Sequence, residues 1–514
     1  MKRKKREILL AVALLLFGIL ILQTNCSKKD GKITELIAKD AQLVVIVPNI
    51  AKAAGKLSSM LETLTIKIPI LGMLRQQMTI ATGFDITNTE ELGKKGFDFQ
   101  GGLAVVMLKV RDGQGYGIVQ IKDKDAFLAF LNDANAKQGN PAFAKEGDFY
   151  SSSGTYLTFK GKFAIIGDNQ KILKNVGEGD SINGSDDFNS IIKKIGEGDI
   201  IFYTSPGYLK SFAKKASELP DTKAIEAITN IYGAMGFSIN FDKTFIEGKS
   251  FIKMMDMSRM KKVFGGTGGS DMLTYLPEGA WAIAKAKTDF PEMWQWIKEM
   301  LFSSDPRAKT EIENAFKEAE NQLGFDVEED VIANIEGNPI IVIYGLSLKT
   351  TPELDMVLTV TLKDEEKIKG ILGNLAKMAP PVPTNLSQLG VVVFPIESST
   401  SLYLTTRNKH LIVAFSSGRI LEIINMIEGK GKIKNVIETA NPAVKTYLEN
   451  KNSDIAYIGI GTLLNIIKTE LSKEETKKMS MFTGGGTLND AYLVALDNVE
   501  DDGIGYSVKL FWGE

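Results

Sequence analysis

The sequence contains one cysteine and one histidine among 514 residues. A single cysteine cannot form a disulfide within the chain, so disulfide chemistry gives no information on the compartment. Zinc sites need several histidine or cysteine ligands, and a triad that uses histidine as its base has one candidate here, His410. The composition therefore predicts no cofactor, no metal site and no catalytic centre based on histidine or cysteine.

Excess positive charge is also lacking. The formal net charge is −2, and it falls to −6 without residues 1–25, which hold five Lys or Arg and one Glu. A basic surface for nucleic acid is therefore not predicted. The chain is 44% hydrophobic and 24% charged, which is ordinary for globular proteins, and its length predicts two or more domains.

The N-terminus has the features of an export signal. A basic stretch at residues 2–6 precedes the apolar run Ile8–Leu22, which is shorter than the roughly 20 residues that cross a membrane. This pattern is typical of a secretory signal. The cysteine, Cys26, follows directly, and Leu22–Cys26 resembles the lipobox of bacterial lipoproteins, whose cysteine thiol receives diacylglycerol.

This lipobox is a relaxed one, because Leu22 lies four residues before the cysteine and Asn25 directly precedes it. Such boxes resemble those of spirochaetes and some other phyla. The resemblance implies a lipoprotein anchored through Cys26 on the extracytoplasmic side of an inner or outer membrane. The alternative is an uncleaved signal anchor with Cys26 as an idle thiol, which also leaves the body of the protein outside the cytoplasm.

An internal repeat is the main feature beyond residue 30. Five motifs recur in the same order at a nearly constant offset, which chance does not explain. They are Gly83–Ile86 with Gly324–Val327, Ile121–Phe127 with Leu362–Ile368, Tyr156–Phe163 with Tyr403–His410, Lys171–Leu173 with Arg419–Leu421, and Asp199–Phe202 with Asp454–Tyr457.

Local periodicity predicts the same elements in both copies. Strands come mostly in adjacent pairs with short turns, which favours antiparallel pairing. We therefore predict an α+β protein in which each of two tandem copies is an antiparallel sheet with helices packed on one face. The predicted order is a signal peptide at 1–25, a spacer at 26–32, a first repeat domain at 33–262, a Gly-rich linker at 263–270 and a second repeat domain at 271–514.

Three motifs of the second copy together carry a family resemblance. They are the Leu-Pro strand start Leu276–Ala280, the turn Gly324–Val331 and the Tyr403-Leu-Thr hairpin that leads into Gly418–Leu421. They resemble a bacterial envelope family catalogued as domain of unknown function three-three-five-two, over 271–470 and more weakly over 36–254. The resemblance implies export, duplication and no established activity.

The candidate site residues have plainer structural interpretations. His410 falls where the first copy has Phe163, so packing beside a hairpin turn is favoured over a base or a metal ligand. Four acids recur in the two copies, and turn and capping roles are favoured for them over a glycosidase pair. These acids are Asp85, Asp326, Asp199 and Asp454.

Five further segments have plainer interpretations as well. The Gly-rich segments Gly265–Ser270 and Gly484–Thr487 lack the features of a phosphate loop and are predicted to be linkers. The acidic turn Asp497–Gly503 lacks the spacing of an EF-hand loop, so a solvated turn is favoured over a calcium site. The apolar helix Phe290–Phe302 is predicted to belong to the domain core, although it could also face a partner, lipid or the other domain. The segment Ile70–Ile80 is a similar apolar patch in the first copy, which would let the two domains share a groove.

We expect a non-enzymatic lipoprotein of the bacterial cell envelope that binds an envelope protein or an apolar ligand. The alternative is a carboxylate-based hydrolase acting on envelope glycans. A purely structural spacer on the cell surface is a third possibility. Two inward-facing carboxylates in one cleft would favour the hydrolase, an apolar cleft would favour the binding protein, and the spacer predicts no concave site in either copy.

Overall fold

The computed structural model describes residues 32–67, 93–208, 231–266, 271–304, 306–347, 353–379, 382–396, 401–430, 433–450, 454–470 and 490–512. The predicted signal peptide therefore lies outside the described residues.

The described strands form one antiparallel sheet of 19 strands. The first half contributes β1 Leu43–Val47, β2 Leu103–Lys109, β3 Gln114–Gln120, β4 Ala144–Glu146, β5 Phe149–Ser152, β6 Thr155–Lys160, β7 Phe163–Gly167, β8 Ile200–Thr204, β9 Tyr232–Phe241 and β10 Phe245–Met254. The second half contributes β11 Ala282–Lys285, β12 Ile335–Ser347, β13 Glu353–Leu362, β14 Val392–Pro395, β15 Ser401–Arg407, β16 His410–Ala414, β17 Asp454–Gly459, β18 Tyr492–Val499 and β19 Gly503–Phe511.

Strand pairing confirms the two tandem copies. The first half has the order β4-β5-β6-β7-β3-β2-β1-β8-β9-β10. The second half has the order β14-β15-β16-β13-β12-β11-β17-β18-β19. Apart from the additional β4, the two orders are the same, so that β1 corresponds to β11 and β10 to β19. We call the two halves the first and the second repeat.

The two repeats join edge to edge. Strand β10 pairs antiparallel with β19, from Phe245 opposite Phe511 to Lys253 opposite Gly503. Each is the last strand of its repeat, so the junction has the local two-fold arrangement of an isologous interface, made here within one chain. The sheet is therefore continuous across the repeats.

Several helices begin at short polar side chains that cap them. The helices are α1 Ile50–Lys67, α2 Lys124–Lys137, α3 Gln170–Asn175, α4 Asp186–Ile195, α5 Ser258–Phe264, α6 Phe290–Ser304, α7 Pro306–Leu323, α8 Glu365–Met378, α9 Thr384–Ser387, α10 Ser417–Ile427, α11 Val436–Thr439, α12 Pro442–Glu449 and α13 Ile460–Glu470. Asp123 accepts hydrogen bonds from the N–H groups of the first turn of α2, and Asp364 does the same for α8. The helix starts predicted at these two residues are confirmed.

Helices cover both faces of the sheet. In β1, Val44 and Ile46 point into one core cluster, whereas Val47 points into another. Leu173 of α3 packs in the first cluster and Phe127 of α2 in the second. The α+β class is confirmed, but the expectation that the helices gather on one face is wrong. The physical reason is that strands such as Leu-Val-Val-Ile-Val are apolar on both sides, so each face needs cover.

Each repeat has its own core, and further clusters join the repeats. Two clusters lie within the first repeat and two within the second. A fifth cluster packs Met254 and Met260 against Ile504, and a sixth packs Met60 against Trp512. The indole N–H of Trp512 also donates to the carbonyl of Lys243 at 3.0 Å. Apolar packing therefore crosses the junction at both ends of the β10–β19 pair.

The tight turns predicted between β6 and β7 and between β15 and β16 are confirmed. Gly161 has a φ of 57° in the first turn, and Asn408 and Lys409 have φ values of 51° and 61° in the second. Glycine and asparagine tolerate this left-handed conformation better than most residues. The same hairpin is therefore built in both repeats with different turn residues.

Candidate functional site: an apolar groove in the first repeat

Several residues singled out by the sequence lie outside the described residues. They are Cys26, Asp85, the segments Ile70–Ile80 and Gly484–Thr487, and most of Gly265–Ser270. Lipidation at Cys26 therefore stays a prediction.

The described part of the first repeat forms an open groove of about 750 Å³, which is within the size range of small-molecule sites. One wall is the 3-10 turn Ile33–Leu36 with residues 37–40, and the other walls are α3 and the loop 176–180. The ends of β2 and β3 lie between these walls. The apolar lining consists of Ile37, Leu108, Tyr116, Ile172 and Val176. We call this space the first-repeat groove.

Tyr116 fastens one wall of the groove to the sheet. Its hydroxyl donates to the carbonyl of Leu36 at 2.9 Å and accepts from the N–H of Ala38 at 3.1 Å. Burial raises the pKa of Tyr116 to about 12, so the phenol stays protonated near neutral pH. A positive φ of 75° at Gly177 lets the opposite loop pass close to Leu36, where a Cβ would lie 2.8 Å from the leucine side chain.

The second repeat has a β-bulge at the position that corresponds to the groove. Leu108 is the extra residue of the bulge in β2, and Gln114 lies opposite the bulge on β3. In β12 the extra residue is Tyr344, and Asp355 lies opposite it on β13. Leu108 therefore corresponds to Tyr344, and Gln114 corresponds to Asp355.

Helix caps fix a third pair of equivalent positions. Asn169 caps α3 and Ser416 caps α10, each through its side-chain oxygen. The third residue after the cap is Ile172 in α3 and Arg419 in α10. The match of Lys171 with Arg419, made from the sequence, is therefore one residue out of register.

Tyr344, Asp355 and Arg419 form a compact polar stack, which we call the second-repeat stack. The guanidinium carbon of Arg419 lies 3.7 Å from the centroid of the Tyr344 ring, and Nη2 of Arg419 is 2.8 Å from Asp355. Tyr344 is only 7% exposed. Leucine, glutamine and isoleucine at the same positions in the first repeat cannot form such a cation–π and ion-pair arrangement.

His410 lies where the repeat predicts it. It begins β16 as Phe163 begins β7, with the equivalent neighbours on the paired strands. The side chain is buried, its Nδ1 is 2.7 Å from the carbonyl oxygen of Asn408, and burial lowers its pKa. This environment favours a neutral imidazole that packs against the hairpin.

The two aspartates at the entry of β8 and β17 have different environments. Asp199 is buried, forms an ion pair with Lys56 of α1 at 3.0 Å and accepts from the N–H of Phe241 at 2.9 Å. Asp454 accepts from the N–H of Lys287 and faces Asp497 across the β17–β18 pair. Burial, followed by the charge of Asp497, raises the pKa of Asp454 to about 6.

Strand pairing shows that these two aspartates are not equivalent. Ile46 pairs with Ile201 in the first repeat, and Lys285 pairs with Ile455 in the second. These pairs place Asp454 at the position of Ile200, one residue beyond Asp199. The pair Asp454–Asp497 thus replaces an apolar pair, Ile200 with Ile239.

Lys285 is a buried cation that the sequence analysis missed. It occupies the position of Ile46, and its ammonium donates to the carbonyls of Leu448 at 3.2 Å and Asn450 at 2.6 Å, at the end of α12. Burial lowers the pKa of Lys285 to about 8. A cation is favourable at a helix C-terminus, so the lysine caps α12. The signal in the sequence was a lysine within the apolar strand Ala-Ile-Ala-Lys.

The other acids singled out by the sequence have capping or pairing roles. Asp326 accepts from the N–H groups of Glu328 and Glu329 at 2.7 and 2.8 Å, as a helix cap. In the acidic turn between β18 and β19, Glu500 pairs with Lys194 of the first repeat, and Asp501 pairs with Lys261 at 2.7 Å. Among the described residues, no group of three or more His, Cys, Asp or Glu is placed to hold a metal ion.

The apolar helix α6 packs against neighbours on two sides. Trp294 lies 5.7 Å from Phe316 of α7, between ring centroids. Trp296 packs in the cluster that holds Met254, Met260 and Ile504, at the junction of the repeats. Within the described ranges, no helix is both long and apolar enough to span a membrane.

These features define a class: a duplicated α+β protein with one continuous antiparallel sheet and an apolar groove in its first repeat. The family model described as "Protein of unknown function (DUF3352)" matches residues 9–379. Because this match covers well over half of the chain, the protein belongs to that family. The match extends through the whole first repeat and into the second as far as α8.

Other comparisons add little to this assignment. None of the curated proteins matches the chain. Crystal form III of TP0453 is similar at 11% identity, with a TM-score of 0.27 over 47% of this chain and 90% of that one. Crystal form IV gives 11%, 0.28, 46% and 85%, and crystal form I gives 12%, 0.26, 48% and 90%. At these TM-scores the likeness carries no argument about fold or function.

Proposed function

We propose that this protein is a non-enzymatic lipoprotein of the bacterial cell envelope, anchored through Cys26, that binds an apolar ligand. The observation that carries the binding function is the first-repeat groove, whose accessible lining surface is largely apolar although charged and amide side chains stand around it. Burial of apolar surface contributes roughly 25 cal/mol per Å², so such a groove favours apolar ligands. The signal-like N-terminus and the position of Cys26 support the anchor.

The described carboxylates favour binding over hydrolysis. Hydrolysis of glycans needs two carboxyls facing one cleft. Three acids line the groove, Glu35, Asp40 and Asp180, and all three residues are exposed to solvent. Asp180 is 82% exposed and forms an ion pair with Lys39 at 3.5 Å. The carboxyls whose pKa is raised, Asp454 and Asp497, lie on the sheet of the second repeat and do not line the groove.

The anchor is tested by changing Cys26→Ala in cells fed radioactive palmitate. We expect the wild type to be labelled, processed and membrane-bound, and the variant to be an unlabelled precursor, because acylation needs the thiol. Ser27→Ala is the matched control and should behave as wild type. Processing and membrane attachment of Cys26→Ala like those of wild type would refute the lipoprotein assignment.

Ligand binding is tested by titrating the protein with a fluorescent fatty-acyl probe. All described elements lie after residue 31, so a chain beginning at Lys32 keeps every described contact and avoids detergent. We expect saturable binding that unlabelled amphiphile displaces. If neither fluorescence nor calorimetry detects saturable binding of an apolar probe, the proposed binding function is wrong.

A further inference from the structure

We propose that the first-repeat groove holds the alkyl chain of a single-chain amphiphile and leaves its polar head at the rim. Three positions, occupied by Leu108, Gln114 and Ile172, decide that this groove is open in the first repeat and filled in the second. The inference rests on the proposed apolar-ligand function and specifies its site and its ligand class.

The chemistry of the lining favours an alkyl chain over a polyfunctional ligand. Leu108 and Ile172 are only partly buried and supply aliphatic surface, with Ile37 and Val176 packed behind them, and such surface offers no hydrogen bonds. Tyr116 adds its ring, but its hydroxyl already donates to Leu36 and accepts from Ala38. The hydroxyls of a sugar or nucleotide placed against this aliphatic part of the groove would lose hydrogen bonds to water without replacement, whereas an alkyl chain has none to lose.

The rim favours a head group without net charge. Its charged side chains have both signs: Lys39 pairs with Asp180, Lys171 lies near the N-terminal end of α3, and Glu35 and Asp40 lie on the facing wall. Amide side chains of Asn169 and Asn175 also line it. A zwitterionic or uncharged head can contact such a rim without like-charge repulsion, which a fully anionic or cationic head would meet on one side.

The position of the groove in the chain argues for the same ligand. One wall begins at Ile33, and five residues lie between Cys26 and Lys32, so that the six steps from one to the other span about 20 Å at most when fully extended. In a protein anchored at Cys26, the groove therefore stays close to the membrane surface. Single-chain amphiphiles concentrate there because burial of each CH₂ favours the membrane by roughly 0.8 kcal/mol.

The second repeat shows how the same space is closed. The second-repeat stack puts a tyrosine on the bulge, an arginine on the helix and an aspartate opposite, and holds them by a 3.7 Å cation–π contact and a 2.8 Å ion pair. The first repeat has smaller or uncharged side chains at all three places. Exchanging these three residues should therefore transfer the groove from one repeat to the other within a fold that already accepts both sets.

A label at the rim tests the site. Cys26 is the only cysteine, so a chain beginning at Lys32 with Lys171→Cys carries one thiol for a fluorescent label. Gly418→Cys is the matched control, because Gly418 is the equivalent position beside the second-repeat stack and a Cβ there meets nothing within 4 Å. Palmitoyl lysophosphatidylcholine, kept below its micelle concentration, should change the signal of the first label saturably and leave the second unchanged.

Exchange of the three residues tests the determinants. The closing variant, Leu108→Tyr with Gln114→Asp and Ile172→Arg, should weaken lysophosphatidylcholine binding roughly tenfold or more, equivalent to about 1.4 kcal/mol. The opening variant, Tyr344→Leu with Asp355→Gln and Arg419→Ile, should add a second binding site that the label at residue 418 detects. The opening variant keeps the test valid even if the closing variant does not fold.

The outcomes separate this inference from the proposed function. If an apolar probe binds saturably but the closing variant retains full affinity and the opening variant gains no site, the groove assignment is wrong and the binding function stands. Equal binding of glycerophosphocholine, which lacks the chain, would overturn the ligand class. If the lipidated protein fails to bind lysophosphatidylcholine while the chain from Lys32 binds it, the groove belongs to the protein's own acyl chain.

Discussion

The two repeats have the same strand order, the same β-bulge and the same capped helices, yet they differ in what they place at equivalent positions. At the bulge, the first repeat has an open groove beside Leu108, whereas the second has the buried stack on Tyr344. Strand pattern and caps therefore determine the topology, and a few side chains determine whether the fold leaves a space for a ligand.

A second difference lies where the strands enter the core. The first repeat is apolar at Ile46 and at the pair Ile200–Ile239, whereas the second has Lys285 and the pair Asp454–Asp497 at these positions. The C-terminal end of α4 in the first repeat is capped by a neutral side chain, because the hydroxyl of Ser238 donates to the carbonyl of Ile195 at 3.0 Å. Lys285 has this role at the end of α12 in the second repeat. The second repeat thus keeps charges where the first repeat has apolar side chains.

The largest effect is expected from exchanging Ile46 and Lys285, which occupy equivalent positions in the two repeats. Ile46→Lys should destabilise the protein by about 3–5 kcal/mol, because it buries an ammonium where Ser238 already satisfies the helix end. Lys285→Ile should change stability by about 1 kcal/mol, because an apolar side chain replaces a desolvated charge. Urea denaturation measures both, and equal effects would contradict the difference between the repeats.

The pH dependence provides a control for this exchange. Burial lowers the pKa of Lys285 from 10.5 to about 8, so the folded state binds fewer protons than the unfolded state between these values. Wild-type stability should therefore gain a contribution as pH rises from 8 to 10.5. Lys285→Ile should lack this contribution when the two proteins are compared by thermal melts in this window.

A smaller effect, a gain in stability, is expected when one charge of the pair Asp454–Asp497 is removed. The raised pKa of Asp454, about 6 against 3.8, means that its contribution to stability is present below pH 4 and is lost as pH rises through 6. Asp454→Asn keeps an acceptor for the N–H of Lys287 and should stabilise the protein by about 1–2 kcal/mol at pH 7. The gain should disappear at pH 4 in melts of the same protein.

The matched change in the first repeat is Asp199→Asn. It should destabilise the protein, because it leaves Lys56 without its partner and weakens the bond from the N–H of Phe241. If both variants change stability in the same direction, the two aspartates have the same role, and the one-residue offset between them has no energetic meaning.

The smallest effect is expected at the ion pairs that connect the repeats. Lys194→Gln removes the pairs with Glu500 and Asp502, which are partly exposed, and should cost about 1 kcal/mol or less. Lys261→Gln, whose partner Asp501 is fully exposed, is the control and should cost nothing measurable. A loss above that range for Lys194→Gln would mean that the acidic turn, rather than the apolar clusters, holds the junction together.

Much of the fold was predictable because it rests on local signals. Alternating and continuous apolar runs marked the strands, Asp123 and Asp364 marked helix starts, and motifs in constant order marked the repeat. Register was harder. The sequence matched Asp199 with Asp454 and Lys171 with Arg419, each one residue from the true equivalence, because short motifs align equally well at neighbouring offsets. A shift of one residue in a strand reverses the face of the sheet.

The candidate site was less predictable, because it depends on residues far apart in the chain. The first-repeat groove combines Ile37, Leu108 and Ile172, which look like ordinary core residues in the sequence. These three residues line the same groove only because of the strand pairing and the position of the capped helix α3. The stack of Tyr344 with Arg419 was hidden for the same reason.

The sequence by itself determined the α+β class, the duplication, the family and the basis for expecting a lipid anchor, since each depends on the order of neighbouring residues. Tertiary structure alone decided that helices cover both faces, that β10 and β19 merge the repeats into one sheet, and that a groove opens beside Leu108 where the second repeat has the stack on Tyr344. Pairing between distant strands and the filling of space by a few side chains are collective properties. They become visible only when the chain is folded.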